Sequence, residues 1–138
     1  MTLAEMQARV REGVPLAGAW GVEVLEAQDG RALLRLPADA ALLRPGGTVS
    51  GPALMGLADV AMWAALLSLT EGRDESLTAS LSITFLRPPP PGAVLAEARV
   101  IKRGRTLSYG EIFLRAEGAE EPCAHVTTSW ARIAPRGP

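Results

Sequence analysis

From residue 52 to residue 69 the chain runs through Ala, Leu, Met, Val and Trp, and the one charge it meets is Asp59. No other Asp, Glu, Lys or Arg lies between Arg44 and Glu71. A helix with no polar face cannot sit on the surface of a folded domain, so other protein or lipid must wrap it. Its length would admit a bilayer span. Against that stand Pro52, Gly56, the central Asp59 and strand-like segments on either side, which point to a core helix with no membrane partner. Ser50 or Gly51 suits the N-cap, and Pro52 suits the first helical position, where its missing N–H costs nothing. The helix is expected to run to about Leu69 and to stop before Gly72.

The rest of the chain reads as the wrapping. Thr2 and Glu5 have capping-box spacing, and Leu3, Met6 and Val10 form one stripe, predicting a short helix over about residues 3–12 ended by Gly13 and Pro15. Residues 20–26 and 31–36 suit strands, joined by the hairpin signal Asp29-Gly30. A loop with Pro45, Gly46 and Gly47 fills residues 38–50. After the central helix come four more strand segments, 77–86, 93–102, 107–116 and 123–133. A run of prolines, the Lys102-Arg103-Gly104-Arg105 turn and an acidic turn at 118–122 separate them. About six antiparallel strands curled around one helix, an α+β fold, would bury it, with residues 1–138 as a single domain. Such a sheet leaves an open edge, so a homo-oligomer is expected.

Composition removes several classes. A formal net charge of −1 gives no reason to expect nucleic acid as a partner. Cys123 is the one cysteine and His125 the one histidine, so neither an internal disulfide nor a His/Cys metal site can form. The lone thiol fits a reducing compartment, and the opening residues MTLAEMQARVREG lack the apolar core of a secretory signal. A cytoplasmic location is the resulting expectation.

Asp59 carries the chemistry. It lies about two turns inside an apolar helix, beyond the reach of the N-terminal dipole. Burial there favours the neutral acid and raises the pKa, which makes Asp59 a candidate base or nucleophile; the alternative is a carboxylate satisfied by strand hydroxyls. Gly46, Gly47 and Gly51 let backbone approach a ligand, and the free N–H groups of the helix start can stabilise an oxyanion. Taken alone, those glycines also serve simple loop and cap geometry. Asp59 follows Gly51 by eight residues, about 12 Å along an ideal helix. If both act on one carbonyl, one must come from a neighbouring chain. Ser50 with His125 as a serine-hydrolase pair is set aside, because no nucleophile elbow accompanies either residue.

The segment Gly47-Thr-Val-Ser-Gly-Pro-Ala-Leu-Met-Gly-Leu-Ala-Asp59 resembles the PaaI-like branch of the hotdog thioesterases, related to phenylacetic acid degradation, whose signature reads G-x-x-H-G-G-x-x-x-x-L-A-D. The later Ala79-Ser-Leu-Ser-Ile-Thr-Phe-Leu-Arg-Pro88 looks like that family's next strand, and Lys102-Arg-Gly-Arg105 like its basic turn. The resemblance implies the hotdog fold, a dimer sharing one sheet, often paired into a homotetramer, and acyl-CoA hydrolysis. Carried over by position, Asp59 would be general base or nucleophile, and the Gly51 amide of a partner subunit would polarise the thioester carbonyl beside Ser50. Ser80 or Ser82 would position water or Asp59. Arg87, Lys102, Arg103 and Arg105 would meet the phosphates of coenzyme A, which enters as part of the substrate; no other cofactor is implied.

The chain departs from the signature at two places. Ser50 stands where the family has His, and Pro52 where it has the second Gly. The departure keeps open a non-catalytic acyl-CoA-binding oligomer. A CoA-ester dehydratase on the same fold would pair its Asp with a His, and none accompanies Asp59. Met62 and Trp63 could border the acyl pocket or belong to the core or an interface.

Overall fold

The computed structural model describes residues 1–133; residues 134–138, the end of the expected domain, lie outside the described residues. Two helices, α1 (Leu3–Gly13) and α2 (Pro15–Ala19), precede the hairpin of β1 (Glu23–Gln28) and β2 (Arg31–Leu36). A single 3-10 turn, Ala40–Leu42, leads into the long helix α3 (Gly51–Ser68). Then follow β3 (Leu77–Phe85), β4 (Val94–Arg103), β5 (Leu107–Ala116) and β6 (Ala124–Ala131). All six strands form one antiparallel sheet in the order β1-β2-β4-β5-β6-β3. Its inner face wraps α3, and β1 and β3 are its two edges.

The expected order of elements holds, and the differences have local causes. Pro15, read as a stop for α1, also starts α2, because its fixed φ suits the first helical turn. The first strand therefore begins at Glu23 rather than at residue 20, after Trp20 and the left-handed Gly21 (φ 69°) have ended α2. The turn between β1 and β2 has positive φ at both Asp29 and Gly30, the conformation that matches strand twist in a two-residue hairpin.

Twelve residues of α3 are buried, on every side of the rod. Among the described residues it is the one helix long and apolar enough to cross a bilayer, and here the sheet occupies the place of lipid. Full burial of Leu54, Leu57, Leu66 and Leu67 contributes about 1.5–3 kcal/mol for each side chain. Ser50 is the N-cap, its Oγ accepting from Ala53 N–H at 3.4 Å, so Pro52 takes the second helical position rather than the first. At the other end Ser68 Oγ donates to Ala65 O (2.6 Å) and accepts from Gly30 N–H (2.9 Å), tying the helix to the hairpin turn.

One irregularity in β3 bears on the site. Thr78 pairs with Trp130 and Ser80 with Ser129, so Ala79 is an extra residue in the ladder. Side chains alternate across a strand, and an extra residue inverts the alternation beyond it. Thr78 stands opposite the buried Trp130 on the inner face, whereas from the bulge onward Leu81 and Ile83 turn inward and pack against the core. Ser80, Ser82 and Thr84 turn outward.

Candidate active site

Asp59 projects from the middle of α3 towards the start of β3. Thr78 Oγ1–H donates to its Oδ1 at 2.6 Å. Burial holds the Asp59 carboxyl above its ordinary value, and the bond from Thr78, which favours the anion, offsets part of that rise. A half-buried carboxylate that lines a cavity and is fixed at one oxygen is fit to accept a proton or attack a carbonyl.

The cavity at Asp59 encloses about 350 Å³. Asp59 and Trp63 come from α3, Gly13 and Val14 from the end of α1, and Leu77 and Trp130 from the sheet. Trp63 thus lines the cavity at Asp59. Met62 does not: it is fully buried, with its sulfur over Gly110, where a Cβ would come within 2.5 Å.

Gly51 lines a different cavity, also of about 350 Å³, with Leu54, Phe85 and Arg87. Because Ser50 caps the helix through its side chain, Ala53 N–H is satisfied and Leu54 N–H bonds to Ser50 O. Among the described residues, Gly51 N–H has no acceptor. Gly51 and Asp59 therefore open into separate cavities of the same chain, as their spacing along the helix requires.

The other expected site residues divide between these two ends. Ser80 and Ser82 were expected beside Asp59; the bulge at Ala79 puts both on the outer face of β3 and leaves Thr78 as the hydroxyl on the carboxylate. Arg103 pairs with Ser108, Ser108 with Trp130 and Trp130 with Thr78, so one transverse row of the sheet joins the basic turn to the partner of Asp59. Three strand spacings, about 14 Å, separate Arg103 from Thr78. Lys102 and Arg105 lie on the same turn, and all three are exposed. Arg87 belongs to the opposite end. It follows Thr78 by nine residues, up to about 30 Å of extended chain. There it lines the Gly51 cavity, bonds to Pro122 O and pairs with Glu121 at 3.4 Å.

His125 faces away from all of this. Its neighbours Ala124 and Val126 point into the core, while its ring lies on the outer face against Phe113 and Glu111 Oε2 (3.1 Å). The serine-hydrolase pair with Ser50 has no geometric basis. Cys123 is buried, and burial raises its thiol pKa, the reverse of an activated nucleophile.

Sequence reasoning missed Thr78 because a bulge leaves no composition signal in Leu-Thr-Ala-Ser. It missed Arg9 because that residue reads as the solvated face of a short helix. Arg9 in fact places its guanidinium 4.7 Å from the centre of the Trp63 ring and donates Nε–H to Gly72 O at 3.0 Å. Gly13, read as a helix stop, also makes room for Trp63.

A six-stranded antiparallel sheet curled around a single long helix that carries a lone carboxylate defines a hotdog thioesterase fold. The chain belongs to the Thioesterase superfamily, whose profile matches residues 46–123. A Saccharolobus solfataricus protein assigned provisionally as an esterase is 32% identical over 98 residues, 70% of this chain and 69% of that protein. A structure from Silicibacter sp. TM1040, assigned provisionally as a thioesterase, is 33% identical with a TM-score of 0.87, over 97% of this chain and 93% of that one. A point mutant of the phenylacetic acid degradation protein PaaI from Thermus thermophilus is 27% identical with a TM-score of 0.75, over 86% and 99% of the two chains. These likenesses support thioesterase activity in general terms, and hotdog thioesterases are typically oligomeric.

Proposed function

We propose that the protein is an acyl-CoA thioesterase acting as a homo-oligomer, with each active site shared between two chains. Asp59 is the general base or nucleophile, Thr78 holds it, and the Gly51 N–H of a neighbouring chain polarises the thioester carbonyl. The observation that carries this reading is Asp59 itself, a carboxylate with a raised pKa at a cavity, held, among the described residues, by one hydroxyl.

Two features support sharing between chains. Gly51 and Arg87 sit together at one end of the chain, Asp59 and the basic turn at the other. In addition, β3 is an edge strand of nine residues with no Pro, Lys or other charge to block pairing, and every residue in it is at least partly exposed. Two copies joined antiparallel along β3 about a two-fold axis bring the Phe85 end of one chain to the Leu77 end of the other. That pairing carries Gly51 and Arg87 towards the Asp59 of the second chain. Arg87, Lys102, Arg103 and Arg105 then flank one substrate and meet the CoA phosphates.

In the reaction, the ionised carboxylate of Asp59 takes a proton from water as it adds to the carbonyl carbon, or adds to that carbon itself. The oxyanion that forms is held at the helix start by the Gly51 N–H. In the base route, collapse expels the CoA thiolate, which takes up the proton held by Asp59, and the acid is released. In the nucleophilic route, collapse leaves a mixed anhydride on Asp59. A water molecule hydrolyses it to free the acid and restore the carboxylate, while the thiolate takes up the proton that water loses. No cofactor beyond the CoA carried by the substrate enters this scheme. The whole chain works as one domain, in a cytoplasmic setting.

Replacement of the family's His by Ser50 favours a second reading, a binder of acyl-CoA that does not turn it over. A panel of acyl-CoAs with free-thiol detection separates the two. Thiol release by wild type that Asp59→Asn removes supports the enzyme. Saturable binding with no thiol release would assign the binder instead.

A further inference from the structure

Trp63 follows Asp59 by four residues, so it lies on the same face of α3, one turn further along, about 6 Å down the axis. It walls the same cavity. The indole is held from three directions. Its Nε1–H donates to the carbonyl of the buried Asp74, just before β3, at 3.1 Å. The Arg9 guanidinium covers its face at 4.7 Å from the ring centre and is itself fixed by the bond to Gly72 O. Its outer edge rests on Gly13, where even a methyl group would come within 2.2 Å of the ring. The side chain is 7% exposed. Swinging it aside would break the buried hydrogen bond and the cation contact together, and the backbone of α1 closes the remaining direction.

We infer that Trp63, clamped by Arg9, Asp74 and Gly13, is the end wall of the acyl pocket and restricts the protein to short acyl groups. The inference rests on the thioesterase reading and adds the substrate class. A thioester whose carbonyl lies at Asp59 directs its acyl chain along α3 and meets the indole after about one helical turn. A butyryl group fits in that distance. A decanoyl group does not fit unless the wall moves. Arg9 acts through Trp63 and is a positioning residue.

The test compares kcat/KM for acetyl-, butyryl-, hexanoyl-, octanoyl- and decanoyl-CoA in wild type, Trp63→Leu, Trp63→Phe, Arg9→Ala and Arg9→Lys. Wild type is expected to fall at least about tenfold between hexanoyl and decanoyl, the size of effect a pocket wall exerts on added methylenes. Trp63→Leu should raise the decanoyl-to-butyryl ratio by about tenfold or more, with Trp63→Phe in between. Arg9→Ala frees the ring without shrinking it and should move the ratio the same way, with Arg9→Lys closer to wild type. The ratio is taken within each variant, so a general loss of rate cancels. An unchanged ratio in folded Trp63 variants that hydrolyse butyryl-CoA overturns the inference and leaves the thioesterase reading intact. Absence of hydrolysis of every ester by wild type overturns both. If neither Trp63 variant folds, the Arg9 pair decides: a ratio unmoved by Arg9→Ala refutes the wall.

Discussion

Thr78 reaches Asp59 because β3 carries one residue too many: its hydroxyl donates to Oδ1 across 2.6 Å from the position just before the bulge at Ala79. The bond favours the carboxylate over the acid, against the larger effect of burial. Replacing the hydroxyl with a methyl in Thr78→Val should therefore raise the Asp59 pKa further. A base must be ionised to act, so the acid limb of kcat/KM moves to higher pH, and activity at a fixed pH on that limb falls by up to about tenfold. Thr78→Ser restores the bond and should return the profile. A limb that stays in place in Thr78→Val separates the hydroxyl from the reaction.

Asp59→Asn should lower kcat by at least about 100-fold, the smaller end of what a positioned base supplies. It should also stabilise the fold at neutral pH. The folded carboxyl titrates above its unfolded value, so the unfolded state ionises first as pH rises and wild-type stability declines through that interval. The amide carries no such penalty. Denaturant unfolding at pH 7 should therefore find Asp59→Asn more stable than wild type, with the advantage shrinking as pH falls towards about 4. A difference that does not change with pH would detach it from ionisation of the carboxyl.

Chains defective at opposite ends should complement each other. Gly51→Pro removes the proposed donor at a helical position that tolerates proline, and Ser50 before it already has the extended backbone that proline demands (ψ 153°). Mixed with Asp59→Asn after dissociation and reassociation, half of the dimers pair unlike chains, and each has one intact site. About a quarter of wild-type activity should return. No recovery, with mixed dimers demonstrated, would place both groups in one chain.

Arg103→Ala combined with Arg105→Ala should raise KM for CoA esters several-fold more than for the matching N-acetylcysteamine thioesters, which lack the phosphates. Equal effects on the two series would assign these arginines to solvent.

Much of this arrangement is written in local sequence. The central helix is evident from Ser50, Pro52 and an unbroken apolar run, and the hairpin from Asp29-Gly30, because caps and turns depend on a few neighbouring atoms. Asp59 is conspicuous because its surroundings in the sequence are the wrong solvent for it. What stayed hidden depends on partners far along the chain. The Ala79 bulge is defined only against β6, so alternation alone selected Ser80 and Ser82 for a place that Thr78 occupies. Arg9 and Trp63 are 54 positions apart, and nothing near Arg9 in the sequence announces an indole beneath it.

The bulge also constrains how β3 can evolve. Deleting Ala79 would leave a regular ladder, with Thr78 still opposite Trp130 and Ser80 still opposite Ser129, so both faces of the strand would keep their residues. Straightening the strand with Ala79 retained would instead put Ala79 opposite Trp130 and turn Thr78 outward, away from Asp59. Relatives that share the Thr78–Asp59 bond can therefore carry one residue or none between that threonine and the first outward serine, provided the ladder beyond keeps its register with the neighbouring strand.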